Sequence, residues 1–308
     1  MKRDVKTSEP VNFDQFKNEF KGTVDKLMGN TGCSQIITVK KTNRGPVQAL
    51  IVIQSQGKIS PVFYIDEVFQ EYQQGISIQQ LAEKAVSVQM ENQAALLDIN
   101  VFLDYEKARE QIFCRIIGTI QNQEYLENIP HTDFLDMSVT YHYVINDRYS
   151  ILINNEHIQQ WGISDRHLHE TACRNMRRRK PYRLASMAGI LKDALHLPIG
   201  SEAVGKPEEA GPEMYVLTND QMDHAAVNII FGDVLSEIAA KIGGDFYLLP
   251  SSIHECIVLP VSSAAGGEAE SLKSIVSEIN ENYVDAAEVL TSSVYRYICS
   301  NEKLVIAA

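Results

Sequence analysis

Residues 243–260 read GGDFYLLPSSIHECIVLP, and this stretch does most to limit the folds open to the chain. Two short apolar runs stand on either side of Pro250, Ser251 and Ser252, and a Gly-Gly pair stops whatever precedes them. Runs of that length separated by turn residues pair as antiparallel strands. The neighbouring sequence supplies what covers them. NIIFGDVLSEIAAKIGG sets Ile230, Val234, Leu235 and Ile238 at helical spacing, and ESLKSIVSEINENY repeats the stripe with Leu272, Ile275, Val276 and Ile279. MYVLTN reads as a strand before them, and SSVYRYICS with KLVIAA as a closing hairpin around Asn301. The order strand, helix, strand, strand, helix, strand, strand over 213–308 predicts an α+β arrangement, with helices on one face of a mainly antiparallel sheet.

The first part of the chain predicts a second α+β body. Asn12 precedes a stripe of Phe13, Phe16, Phe20, Val24 and Leu27, the face of a packing helix. SQIITVKK, PVQALIVIQS and KISPVFYI follow as a meander. Ser77 with Gln80 three residues on forms a capping box before Leu81, Ala82 and Ala85. A helix over 104–111 leads into the strand IFCRIIGTI, and FLDMSVTYHYVINDRYSILIN reads as a hairpin about an Asn-Asp turn. The single Trp161 plugs a core edge beside Gly162, and Ser164 caps a helix running to about Met176. SMAGILKDALH is a further short helix. Three prolines and three glycines without periodicity make 198–212 the predicted linker between domains 1–197 and 213–308.

All the excess charge lies late in the sequence. From residue 201 onward there are 17 acidic residues against 5 basic ones, while residues 1–200 hold 23 of each. Such an acidic part repels phosphate backbones and argues against nucleic acid as its partner. No run approaches the roughly 18 apolar residues of a spanning helix, so no membrane partner is expected. Five widely spaced cysteines without a CxxC pair suit reduced thiols, which makes the expected location cytoplasmic.

Three places carry candidate chemistry. Ser252, His254 and Glu255 are the first, with residues two apart on one face of a strand, so Ser252 and His254 point one way and Glu255 the other. A catalytic line of nucleophile, base and orienting acid needs a member from elsewhere, and no GxSxG elbow exposes the serine. The favoured reading is a turn whose serine hydroxyls bond nearby amides. Glu255, on a face with Ile253, Ile257 and Leu259, would need a partner or a raised pKa. The second place is HExxC: His169 and Cys173 share a helix face with Glu170 between them, two ligands of a metal site lacking its third. The preferred reading there is a surface helix with Cys173 turned to the core. The third is the basic run 174–183, where Arg177, Arg178, Arg179, Lys180 and Tyr182 suit phosphates and a stacked base or an acidic partner, including the acidic part of the same chain. Neither familiar nucleotide loop is present, and no cofactor is expected.

The pieces ILINNEHIQQWGIS, EMYVLTN, IAAKIGGDFYLLPSSIHE and EVLTSSVYRY, in this order, resemble a bacterial family defined only as a domain of unknown function, common in Gram-positive gut bacteria and often encoded near mobile elements. The likeness runs from about residue 35 onward, and LPSSIHE followed by EVLTSSVYRY is its most specific part. It implies a cytoplasmic protein of two α/β-type parts, with no activity, cofactor or catalytic residue to carry over. RNMRRRKPYR is more basic, and QMDHAAVN less glycine-rich, than the family pattern. The expectation is a module that binds a protein or a small molecule without catalysis. The alternatives are a hydrolase with a site at His254 and Glu255 or at the HExxC helix, and nucleic-acid binding through the basic run.

Overall fold

A computed structural model describes residues 11–54, 60–94, 99–146, 149–194, 213–250, 252–263 and 268–308. Packing divides the chain into two compact units, Met1–Phe102 and Leu103–Ala308. The architecture is α+β in both. The 198–212 stretch lies outside the described residues, and the strands on either side of it pair with each other.

In the first unit β1 (Gly32–Lys41), β2 (Gly45–Gln54) and β3 (Val62–Tyr64) form an antiparallel meander. Helices α1 (Phe13–Met28), α2 (Ile65–Gln73) and α3 (Ile78–Ala94) accompany it. Asn12 and Gln15 close a reciprocal capping box at the start of α1. The helix buries Phe16, Phe20, Val24 and Met28, while Leu27 lies on the exposed side, because Met28 keeps the four-residue step that Leu27 breaks. These residues share one core with Leu50, Val52, Leu81 and Ala82. Helix α2 begins directly where the strand-like KISPVFYI ends: Asp66 and Glu67 sit in its first turn, where they complement the helix dipole.

Helix α4 (Ile99–Leu103) ends the first unit, and the second continues through α5 (Tyr105–Ala108) to β4 (Ile112–Gly118), α6 (Gln123–Leu126), β5 (His131–Phe134), β6 (Met137–Val144) and β7 (Ser150–Leu152). Strand β6 pairs with β4, β5 and β7, all antiparallel. Helices α7 (Asn155–Trp161) and α8 (Asp165–Arg179) follow, then β8 (Arg183–Ser186) and α9 (Met187–Ala194). The remaining elements are β9 (Tyr215–Thr218), α10 (Gly232–Ile242), β10 (Phe246–Leu249), β11 (Cys256–Pro260), α11 (Ala269–Asn282), β12 (Tyr295–Ile298) and β13 (Lys303–Ile306). The second sheet runs β13-β12-β10-β11-β9-β8, with every pairing antiparallel. The two sheets of this unit meet at Asp136, in the β5–β6 turn: its carboxylate accepts hydrogen bonds from the hydroxyls of Thr291, Ser293 and Tyr295.

Helix α8 positions the chemistry described next. Gly162 ends α7 in the left-handed region at φ 66°, a conformation that glycine adopts without a Cβ penalty. The Ser164 hydroxyl then accepts from the His167 amide to start α8. The helix runs past Met176 to Arg179, because arginines prolong it readily until Pro181 forbids its continuation. Its buried face carries Leu168, Thr171, Ala172, Asn175 and Met176 and packs on β4. Asn175 fastens the helix there, donating to the carbonyls of Arg109 and Ile112 at 2.7 and 2.8 Å.

Candidate functional site

His169 and Cys173, one turn apart on α8, face Tyr141 of β6 and Cys114 of β4, which are direct cross-strand partners. Four residues of helix rise about 6 Å, close to the ~5 Å between opposed strand side chains, so two helical positions meet two sheet positions. The Cys173 sulfur lies 3.5 Å from His169 Nε2. Nδ1 of the same ring lies 2.9 Å from the Tyr141 hydroxyl, which bonds the Thr132 hydroxyl at 2.6 Å. Tyr141 is fully buried. With both ring nitrogens protonated, His169 donates to the Cys173 thiolate and to the Tyr141 oxygen, and Tyr141 donates onward to Thr132. The tyrosine occupies the place that an acid takes in other histidine-oriented nucleophiles.

The environment favours the thiolate on Cys173. The neighbouring Cys114 thiol, with positive charge from His169 and Arg177, brings its pKa down to about 5 despite partial burial. Cys114 moves the opposite way, pushed well above the ordinary thiol range by Cys173 beside it and by burial. His169 is raised by Cys173 against the effect of burial. A cavity of about 700 Å³ opens at this point, lined by Cys173, His169, Thr132, Arg174, Phe231 and others. Arg174 reaches the Thr171 hydroxyl at 3.2 Å and has no acidic partner among the described residues.

The structure places the other sequence candidates as follows. Glu170 is exposed and lines the same cavity, its carboxylate held by Arg166 at 2.9 Å. No third ligand joins His169 and Cys173 among the described residues. The basic run is occupied inside the chain. Arg177 pairs with Asp233 and lies 4.6 Å over the Phe231 ring. Arg178 pairs with Glu110, Arg179 donates to the Glu110 carbonyl at 2.6 Å, and Tyr182 donates to Glu237. Lys180 lies 3.9 Å from Asp223.

Residues 252–255 precede β11 and are not part of a strand. Glu255 is exposed, which corrects the expectation that it shares an apolar face: the alternation of β11 begins only at Cys256, after the chain has turned. The Ser252 hydroxyl accepts from the His254 amide at 3.1 Å, a local turn bond, and so does not engage the imidazole. The ring itself is held by acids from distant segments. His254 Nδ1 lies 3.4 Å from Asp223 and Nε2 lies 3.5 Å from Glu288. Asp223 also meets His224 Nδ1 at 2.5 Å, and the two histidine rings stand edge to face. These histidines hold the Asp223 carboxyl far below the usual carboxylate range. His254 is raised by Asp223, whereas burial lowers His224.

Cys114, Tyr141, Thr132, Asp223, His224 and Glu288 escape sequence reasoning, since only sheet register and loop closure bring them to their partners. The Asp-His pair in QMDHAAVN is the only local signal among them.

A family model described as a family of unknown function (DUF5688) matches residues 13–298. The chain belongs to this family. The matched span takes in both units and every residue of the two clusters, so both lie within the DUF5688 domain. No curated protein and no solved structure matches the chain.

Proposed function

We propose that the second unit binds a small acyl compound carrying negative charge and that Cys173 attacks it as a thiolate. The supporting observation is the Cys173–His169 contact of 3.5 Å at the wall of the 700 Å³ cavity. A perturbed thiol in a cleft, beside a base oriented by a third group, is the arrangement that nucleophilic catalysis requires. Sulfur forms a bond to the acyl carbon, the bond from that carbon to its leaving group breaks, and the leaving group takes the proton from His169 Nε2. Water then hydrolyses the thioester, with neutral His169 accepting the water proton. Arg174 supplies the charge that attracts the anionic end of the ligand.

A second reading keeps the cavity as a binding site for a small anion and omits the chemistry. Arg174, free of an acidic partner among the described residues, favours it. Incubation with a carboxylate-bearing aryl ester separates the two. Nucleophilic attack predicts an acyl adduct on Cys173 by mass spectrometry, absent from Cys173→Ser and slowed in Arg174→Gln. No adduct, together with protection of Cys173 from alkylation by inorganic anions, leaves binding alone. Failure of both removes the cavity from the account.

A further inference from the structure

The geometry points to a divalent-cation site of the zinc class formed by Asp223, His224 and His254, separate from the thiol. One donor atom from each residue lies within 4.8 Å of the other two, and this is the one such cluster among the described residues. Two imidazoles and a carboxylate are a donor set for borderline first-row ions, leaving a position for water.

The surroundings position these donors. Asn219 brackets the loop, donating to the Asp223 carbonyl at 2.8 Å and accepting from the Asp223 amide at 3.1 Å. His224 adopts the left-handed region at φ 49°, uncommon for a residue other than glycine, and its Nδ1 faces Asp223. The amides of Ala225 and Ala226 donate to the carbonyls of His254 and Ile253, which ties the loop to the segment bearing the third donor. His254 offers Nδ1 towards Asp223 while its Nε2 faces Glu288 at 3.5 Å. A carboxylate behind the far nitrogen of a metal-binding histidine is the usual way the ring is oriented and made more basic. Lys180 lies 3.9 Å from Asp223 Oδ2, and the donor counted here is Oδ1. All three residues are partly accessible, which leaves an entry path.

Cation entry changes two contacts. The 2.5 Å Asp223–His224 contact opens to about 3.3 Å, the edge of a tetrahedron with ~2.0 Å bonds. The long 3.3 Å bond from the His224 amide to His254 Nδ1 is released.

Equilibrium dialysis of the full chain against zinc, and cobalt(II) absorption, test the site. One equivalent of zinc is expected, persisting in Cys173→Ser and lost in Asp223→Asn and His254→Ala. Cobalt should give visible bands without a sulfur-to-metal charge-transfer band. Glu288→Gln, which changes a half-exposed side chain, should weaken zinc binding about tenfold. If the ligand variants do not fold, zinc-dependent shifts of the His224 and His254 ring resonances in the unaltered protein decide the matter. Absence of binding, binding lost with Cys173, or unshifted His224 and His254 resonances would overturn the site.

Discussion

Cys114 and Tyr141 stand directly opposite each other in the sheet, and through that pairing one strand position sets a thiol beside Cys173 while the other orients His169. Cys114→Ala therefore removes the neighbour that does most to hold the Cys173 pKa near 5. The midpoint of its alkylation profile should move upward, and each thiolate should react faster, since a less stabilised sulfur is more nucleophilic. The lost sulfur should cost about 1–2 kcal/mol of stability. An unmoved midpoint in iodoacetamide kinetics would show that Cys114 does not stabilise the Cys173 thiolate.

Tyr141→Phe deletes the hydroxyl between His169 Nδ1 and Thr132 without changing the packing of a fully buried ring. The expected cost is about 1–2 kcal/mol, because two polar groups lose a partner. The alkylation midpoint of Cys173 should move upward while its product remains the same. Urea denaturation and timed mass spectrometry measure the two effects. A variant with wild-type labelling would leave the tyrosine a packing residue only.

Asp136→Asn tests the junction between the sheets of the second unit. The carboxylate accepts from Thr291, Ser293 and Tyr295, and an amide replaces one acceptor oxygen with a donor. A loss of about 2–3 kcal/mol is expected from the misfit hydroxyls. It should appear as a lower urea midpoint with an unchanged slope.

Much of the second unit was legible in the sequence because its signals are local. The Gly-Gly stop after Ile242, the helical stripes of α10 and α11 and the hairpin about Asn301 all depend on neighbours a few residues away. Shorter elements were hidden. Strands β5 and β8 span four residues each, and β8 starts at the end of the basic, proline-containing stretch, so neither shows a period. Helix α2 follows β3 with no breaker between them. The sites divide in the same way. His169 and Cys173 announce themselves by four-residue spacing, but Cys114 is placed by register with Tyr141, and His254 meets an acid 31 residues earlier in the chain. Contacts made by register or loop closure leave no periodic trace for a single sequence to show.

The ion pair also sets a pH dependence. Cys173 titrates lower in the folded chain than in the unfolded one, so its contribution to stability is complete above the free-thiol pKa of about 8.5 and is lost as pH falls towards 5. His169 has the opposite sign: raised in the folded state, it stabilises fully below its unfolded pKa of about 6.5 and loses that contribution as pH rises through its folded value. The stability advantage of the unaltered protein over Cys173→Ser should peak between those limits and shrink on the acid side. Thermal unfolding of both proteins across pH reads it directly, and a pH-independent difference would contradict the assignment.

The most direct measurement is the rate of iodoacetamide alkylation at Cys173 as a function of pH, resolved by peptide mass spectrometry, with the exposed Cys33 of the same chain as reference. A half-maximal rate near pH 5 is expected for Cys173. A Cys173 profile rising only near the free-thiol value of about 8.5 would mean that no thiolate is held against His169.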